Sequence, residues 1–366
     1  MRLRQADARM LEQAGATGRI RGRSLWADAR TRFLRNKAAV AGLVVLVLVA
    51  LFASFGQALA RFEPDHIDFT LMGANAFRGV PSINAPAIAL AVLAFVVIAR
   101  WWGLELAKAA PRMVAPFRTA LAVGAVVAGV ILWIMGGVLV NDSGHYFGVD
   151  ADGRDLFART VMGTRISLLV GVVGALVAVV VGTLYGATAG YIGGRTDSIM
   201  MRTVDVLMSI PFMFVLILML VIFGRSMLML FIGIGMISWL DMARIARGQT
   251  LTIKNKEFVE AAVATGVRSF TIILRHVVPN LAGIVIVYAT LLVPQMIIFE
   301  SFISYLGLGI QEPATSLGAL INGGAEQMNN GTLWMLFFPL FFFVITLFAF
   351  FFVGDGLRDA LDPKDR

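Results

Sequence analysis

The chain has no cysteine and only three histidines in 366 residues. Disulfides, thiol catalysis and cysteine-based metal sites are therefore excluded. His66, His145 and His276 are scattered and give no metal-ligand spacing. Charge is scarce too. Only 15% of residues are Asp, Glu, Lys or Arg and 58% are hydrophobic, whereas soluble domains carry roughly 25% charged residues. No Gly-Lys dipeptide occurs, so the phosphate-binding loop G-x-x-x-x-G-K-[ST] is missing, and ATP-driven work would need ATPase subunits in other chains. The groups of an intramembrane protease are missing as well. There is no Tyr-Asp and no Gly-x-Ser-Gly, and the single Gly-Asp is Gly354-Asp355. The net charge of +8 comes without a basic patch interleaved with aromatics, which argues against nucleic acid and for basic loops flanking membrane spans.

What remains is an all-α polytopic membrane protein. Crossing the hydrocarbon takes about 20 apolar residues, and eight stretches qualify: 38–60, 85–102, 117–140, 166–192, 204–223, 227–243, 284–305 and 333–353. The fourth is rich in small residues, Gly171, Gly174, Gly182, Gly186 and Gly190 among them, which lets helix backbones approach closely in lipid. The basic tail before the first span predicts a cytoplasmic N-terminus, and an even number of spans returns the C-terminus to the same side. Arg154, Arg159, Arg165 and Arg225 break the pattern, because this count puts them outside, though Asp150, Asp152 and Asp155 lie beside the first three. Ala58-Leu59-Ala60 resembles a cleavage site, yet the long tail and apolar run favour an uncleaved anchor. Before it, Leu25, Trp26, Phe33 and Leu34 alternate with Arg30, Arg32 and Arg35, a pattern that suits a short helix on the bilayer surface.

Between two apolar stretches sits a charged island, 257–281, EFVEAAVATGVRSFTIILRHVVPNL. Its first part predicts a short helix, with Ala261, Ala262 and Ala264 adding little bulk and Gly266 ending it at positive φ. A second helix is expected over 269–278, with Pro279 making a turn or kink before the next span. Two short helices joined by glycine form a compact protrusion, and Glu260 is placed to pair with a basic residue of a partner. The alternative is an ordinary loop with a glycine cap. Glu300 lies inside a predicted span. An ionisable group there is expensive and faces a cavity or another helix, and helix bonding is the preferred reading over lining a substrate route.

Several motifs resemble the C-type permease subunit of dipeptide and oligopeptide ABC importers. Glu260-Ala261-Ala262-x-x-x-Gly266 with Pro279 resembles the EAA coupling loop. Phe147-Gly148-Val149-Asp150-Ala151-Asp152-Gly153-Arg154-Asp155 resembles that subfamily's signature, with Val149 in place of Thr. Gly163-Thr164-Arg165-Ile166-Ser167-Leu168, Ser304-Tyr305-Leu306-Gly307-Leu308-Gly309 and Gly354-Asp355-Gly356-Leu357-Arg358-Asp359 follow in order. The resemblance implies a type I importer core of six helices in the bacterial cytoplasmic membrane, working by alternating access. It implies as partners a homologous second permease, two ATPase subunits and an external solute-binding protein. No cofactor is expected on this chain, and ATP and Mg belong to the ATPases. The implied cargo is dipeptides or oligopeptides, with nickel chelates or peptide-like antibiotics as the alternative.

The chain departs from that pattern at His276 and Val278, and by two added spans, 85–102 and 117–140. The expected division is a basic tail over 1–37, a first span with a two-span insertion over 38–144, and the permease core over 145–366, with the EAA loop at 247–280. Nothing in the added spans shows a purpose, and packing around the core is the preferred reading over holding a partner. A passive scaffold would fit the added spans but leave the charged island unexplained.

Overall fold

The computed structural model describes residues 25–72, 79 and 144–361. Among them the regular structure is helical, with two isolated bridges and no strand. Five helices are long and apolar enough to cross a membrane, or six if one bent pair counts as a single span. The added spans at 85–102 and 117–140 lie outside the described residues.

Helix α1 (Leu25–Arg35) leads into α2 (Lys37–Leu59) through Asn36, whose side-chain oxygen accepts from the N–H groups of Ala38 and Ala39. That cap starts a new helix axis while the chain barely pauses. The last helix, α11 (Trp334–Leu361), packs along α2 and reaches α1. Two glycines set the approach. A Cβ on Gly42 would lie 2.9 Å from the Ala349 carbonyl oxygen, and one on Gly356 would overlap Ala39.

The central pair is α3 (Leu156–Ile192) and α6 (Met227–Ile253). Gly182, Gly186 and Gly190 recur every fourth residue and present one bare stripe to α6. A Cβ on Gly182 would lie 2.5 Å from the Trp239 carbonyl oxygen, one on Gly190 would lie 2.9 Å from that of Arg247, and one on Gly186 would overlap that of Ala243. Backbones in direct contact gain dispersion where lipid gives apolar side chains no reason to leave it.

The stretch at 204–223, expected as one span, is broken. It becomes α4 (Gly194–Ser209) and α5 (Phe212–Phe223), bent by 77°. Pro211 is the cause. Its ring disfavours helical backbone at the preceding residue, and Ile210 is extended at φ −83°, ψ 126°. Helix α5 alone is about 18 Å long, too short to cross the hydrocarbon.

After α7 (Glu257–Ala264), α8 (Ser269–Ile272) does not end before the next span as expected. It passes through a wide π turn, Ile273–Val277, straight into α9 (Val278–Tyr305). Pro279 falls in the first turn of α9 and the path stays helical. The wide turn accommodates the missing N–H and the ring, which a regular helix would reject. Helix α10 (Leu317–Glu326) follows α9 and packs between it and α11.

Candidate functional site

Helix α7 shows two faces. Val259 and Ala262 are buried against Ala187 of α3, Met242 and Ala246 of α6, and Ile272, Ile273 and Val277 of the following turns. Glu257, Glu260, Ala261, Val263 and Ala264 are exposed. Of the three alanines that add little bulk, Ala261 and Ala264 face outward, while Ala262 faces inward and lets α7 sit close to its own bundle. The outer face also carries Phe258 and, across the turn, Phe270, which is 71% exposed.

Gly266 terminates α7 at φ +76°. The Val267 N–H donates to the Ala262 carbonyl (3.1 Å) and the Gly266 N–H to that of Val263 (2.9 Å). This pair of bonds is the Schellman arrangement, which requires a left-handed residue where glycine sits. Pro279 is exposed and lies in the first turn of α9, outside the α7 turn. The neighbouring helix ends are tied together. Arg247 donates twice to Asp197, both at 2.6 Å, Arg244 pairs with Asp205 at 2.6 Å, and Lys254 donates to the Gly190 carbonyl at 3.2 Å.

At the opposite end of α3, the signature residues build a crosslinked turn. Asp150 accepts from the N–H groups of Asp152 and Arg154, each at 2.9 Å, and Gly153 turns the chain at φ +76°. Arg154 donates from Nε to Asp150 (2.9 Å) and from Nη1 to Glu312 (2.7 Å), and it also pairs with Asp152. Burial lowers the Arg154 pKa, yet Asp150 and Glu312 outweigh it and the net shift is upward. The nearby Asp68 carboxyl is held below the usual range, chiefly by the Thr70 hydroxyl at 2.6 Å.

Asp155 caps α3 through the Ala158 N–H (2.8 Å) and lies 2.9 Å from His145 Nδ1, both side chains being buried. Three of the four arginines that broke the charge pattern, Arg154, Arg159 and Arg225, find partners. Arg159 is buried beside Asp150 and Glu312, and Arg225 donates to the Gly307 carbonyl. Sequence reasoning missed Glu312 and His145 as partners. The only signal was the surplus of arginine itself.

Glu300 is fully buried and accepts from the hydroxyls of Ser167 (2.9 Å), Ser304 (2.7 Å) and Ser301 (3.2 Å). Ser167 in turn accepts from the Leu317 N–H. The carboxylate therefore ties α9 to α3 and to the start of α10. It joins neither the α7 loop nor the Asp150 turn.

Residues 178–366 match the family described as binding-protein-dependent transport system inner membrane component. Residues 24–77 match the N-terminal TM domain of oligopeptide transport permease C. The chain is 47% identical over 366 residues to the oligopeptide transport system permease protein OppC of Escherichia coli, covering all of both chains. It is 49% identical over 222 residues to the dipeptide transport system permease protein DppC of Bacillus subtilis, or 61% of this chain and 69% of that one. Against the glutathione transport system permease protein GsiD of Pectobacterium atrosepticum, identity is 38% over 222 residues, 61% of this chain and 73% of that one.

Proposed function

The chain belongs to the inner membrane components of binding-protein-dependent transport systems, and from that membership we propose how its parts divide the work of a peptide importer. It is a permease subunit of a peptide ABC importer, a multi-pass membrane transport protein and not an enzyme. Such a permease works with a partner permease, ATPases and a binding protein. Our reading of the assembly is one homologous permease, two ATPase subunits that carry ATP and Mg, and one external solute-binding protein. Oligopeptides are the favoured cargo, because relatives that match the whole chain are named for them.

The observation that carries the mechanism is the split face of α7. Its outer side and Phe270 offer apolar surface to an ATPase, while Val259 and Ala262 wedge into α3, α6 and α9. Closure of the ATPase pair on ATP would push α7, and the push would reach the close-packed α3 and α6 as one body. That motion alternates access to the two sides. In this reading α7 and both termini lie in the cytoplasm, and Asp150, Gly153, Arg154 and Asp155 form an outer clamp. The division into 1–37, 38–144 and 145–366 belongs to the same reading.

The test uses the assembled importer in proteoliposomes. Phe270→Asp and Val263→Asp should release the ATPase subunits on purification and stop ATP-driven peptide uptake, while the variants insert normally. Full retention of the ATPases with normal uptake would remove α7 as the docking site.

A further inference from the structure

The functional reading leaves one intramembrane acid unused. Asp241 lies in α6, fourteen residues from Met227 and twelve from Ile253. These separations are about 21 Å and 18 Å along the axis, so the carboxylate sits at membrane depth. Unlike Glu300 it is exposed, and it makes no ion pair with any described residue. Arg244, one turn away, is already paired with Asp205. An ionisable group at this depth faces a partner or a water-filled cavity, because lipid would exclude it.

Two cavities meet at Asp241. One, of about 250 Å³, is bounded by Ile210, Pro211, Ser238, Asp241, Leu292 and Gln295. The other, of about 410 Å³, shares Asp241, Leu292 and Gln295 and is also lined by Arg244, whose charge is engaged by Asp205. The first opens at the break between α4 and α5. A break in a spanning helix exposes backbone polar groups, which is tolerated only where they line protein or a wet cavity. Broken helices line substrate sites in secondary transporters for this reason. Here the C-terminus of α4, with partial negative charge, and the N-terminus of α5, with partial positive charge, both border the cavity and offset one another. The Asp241 carboxylate and the Gln295 amide oxygen are what suit a cation that donates hydrogen bonds.

We propose that Asp241 and Gln295, beside the α4–α5 break, form a site on the transport route for a peptide's ammonium group. The proposal rests on the importer reading. Every unmodified peptide offers such a group at its N-terminus, largely protonated at neutral pH, and lysine side chains offer another.

The cysteine-free background allows a test that needs no transport. Gln295→Cys in the assembled importer is treated with a quaternary-ammonium and with a sulfonate methanethiosulfonate reagent of similar size. The unsubstituted chain in the same assembly serves as background. The cationic reagent should react about tenfold faster, the factor equivalent to about 1.4 kcal/mol. Adding Asp241→Asn should bring the two rates together. In proteoliposomes Asp241→Asn should also slow uptake of trialanine or trilysine by about tenfold, with the ATPases still bound. Slowing of trialanine identifies the N-terminal ammonium as guest, and slowing of trilysine alone identifies the side chain. A cysteine that neither reagent modifies, a rate ratio unmoved by Asp241→Asn, or unslowed uptake of both peptides overturns the site. If the unsubstituted importer carries neither peptide, the peptide reading fails, and the reagent ratio still judges the cation site by itself.

Discussion

The two ends of α3 hold their loops by opposite means. At the Asp155 end the charges are satisfied within the chain. Arg154 meets Asp150, Asp152 and Glu312, and Asp155 meets both His145 and the helix N-terminus. At the α7 end, Glu257, Glu260, Arg268 and Arg275 are exposed and make no ion pair with described residues. What holds α7 in place is apolar packing under Val259 and Ala262 and one glycine turn. A turn whose charges pair within the chain is built to stay put. A loop with unpaired charge and exposed Phe258, Val263 and Phe270 is built to meet something else.

The sharpest way to break this comparison is to ask whether the two ends lie on opposite sides of the membrane. Gly323, near the Asp150 turn, is exposed with nothing within 4 Å of an added Cβ. Asn255, beside α7, is exposed too. In intact spheroplasts an impermeant maleimide should label Gly323→Cys fully and Asn255→Cys only after lysis. Labelling of both, or the reverse order, would overturn the proposed topology.

The next largest effect is expected at the α7 turn. Gly266→Val forces a β-branched residue into left-handed backbone, at a cost of roughly 1–2 kcal/mol or more. The tip should rearrange, so ATPase retention should fall with it. Phe270→Ala leaves the turn alone and removes an apolar anchor. If Phe270 is a central contact, losing it costs about 2–4 kcal/mol, a weakening of roughly 30- to 1000-fold. Titrating detergent-solubilised permease with the ATPase subunits measures both. Equal affinity of wild type and Phe270→Ala would place the docking surface elsewhere.

A smaller and different effect is expected at the other end. Asp155→Ala removes a helix cap, worth about 1 kcal/mol, and strips His145 of its partner while it stays buried, worth about 1–3 kcal/mol more. The thermal midpoint of the purified permease should fall by several degrees. ATPase affinity should not move, since the change lies at the far end of α3. Loss of ATPase binding without loss of stability would dissolve the distinction between a self-completed turn and a docking loop.

How much of this was legible in the sequence depends on the range of the interaction. Gly182, Gly186 and Gly190 could be read as a packing stripe because their spacing of four is a property of one helix. Gly266 could be read as a left-handed stop because the rule involves a single residue. The Pro211 break was missed because the apolar run continues across it, and composition does not register a change of direction. The inward turn of Ala262 was within reach, since Val259 and Ala262 are three apart on one face of a helix. The pairing of Arg154 and Arg159 with Glu312 was not. More than 150 residues separate the partners, and only the packed bundle brings them together. The cavity at Asp241 was hidden for a related reason. The sequence placed Asp241 near a span end, whereas α6 continues ten residues past the predicted limit at 243.

The smallest effect is expected where the family pattern is exceeded. The stretch from 65 to 142 is not uniformly dispensable. Asp68 donates its N–H to the Gly153 carbonyl (2.9 Å), and Gly79 accepts from the Val149 N–H (3.1 Å). These contacts belong to the Asp150 turn, so removing them would damage the clamp, and a replacement of the whole stretch would confuse two causes. A cut confined to 85–140, bridged by a short polar linker, spares them. It removes both apolar stretches expected as added spans, an even number, so the sidedness of everything after residue 144 should be kept. Nothing within 85–102 or 117–140 is charged except Arg100 and Arg118, near the edges, which gives no sign of a substrate route. Peptide uptake by the shortened importer should therefore stay within about threefold of wild type, a change below about 0.7 kcal/mol. Complete loss of uptake from a shortened chain that still assembles with its ATPases would assign these spans a part in transport and make the insertion a third functional region beside the two ends of α3.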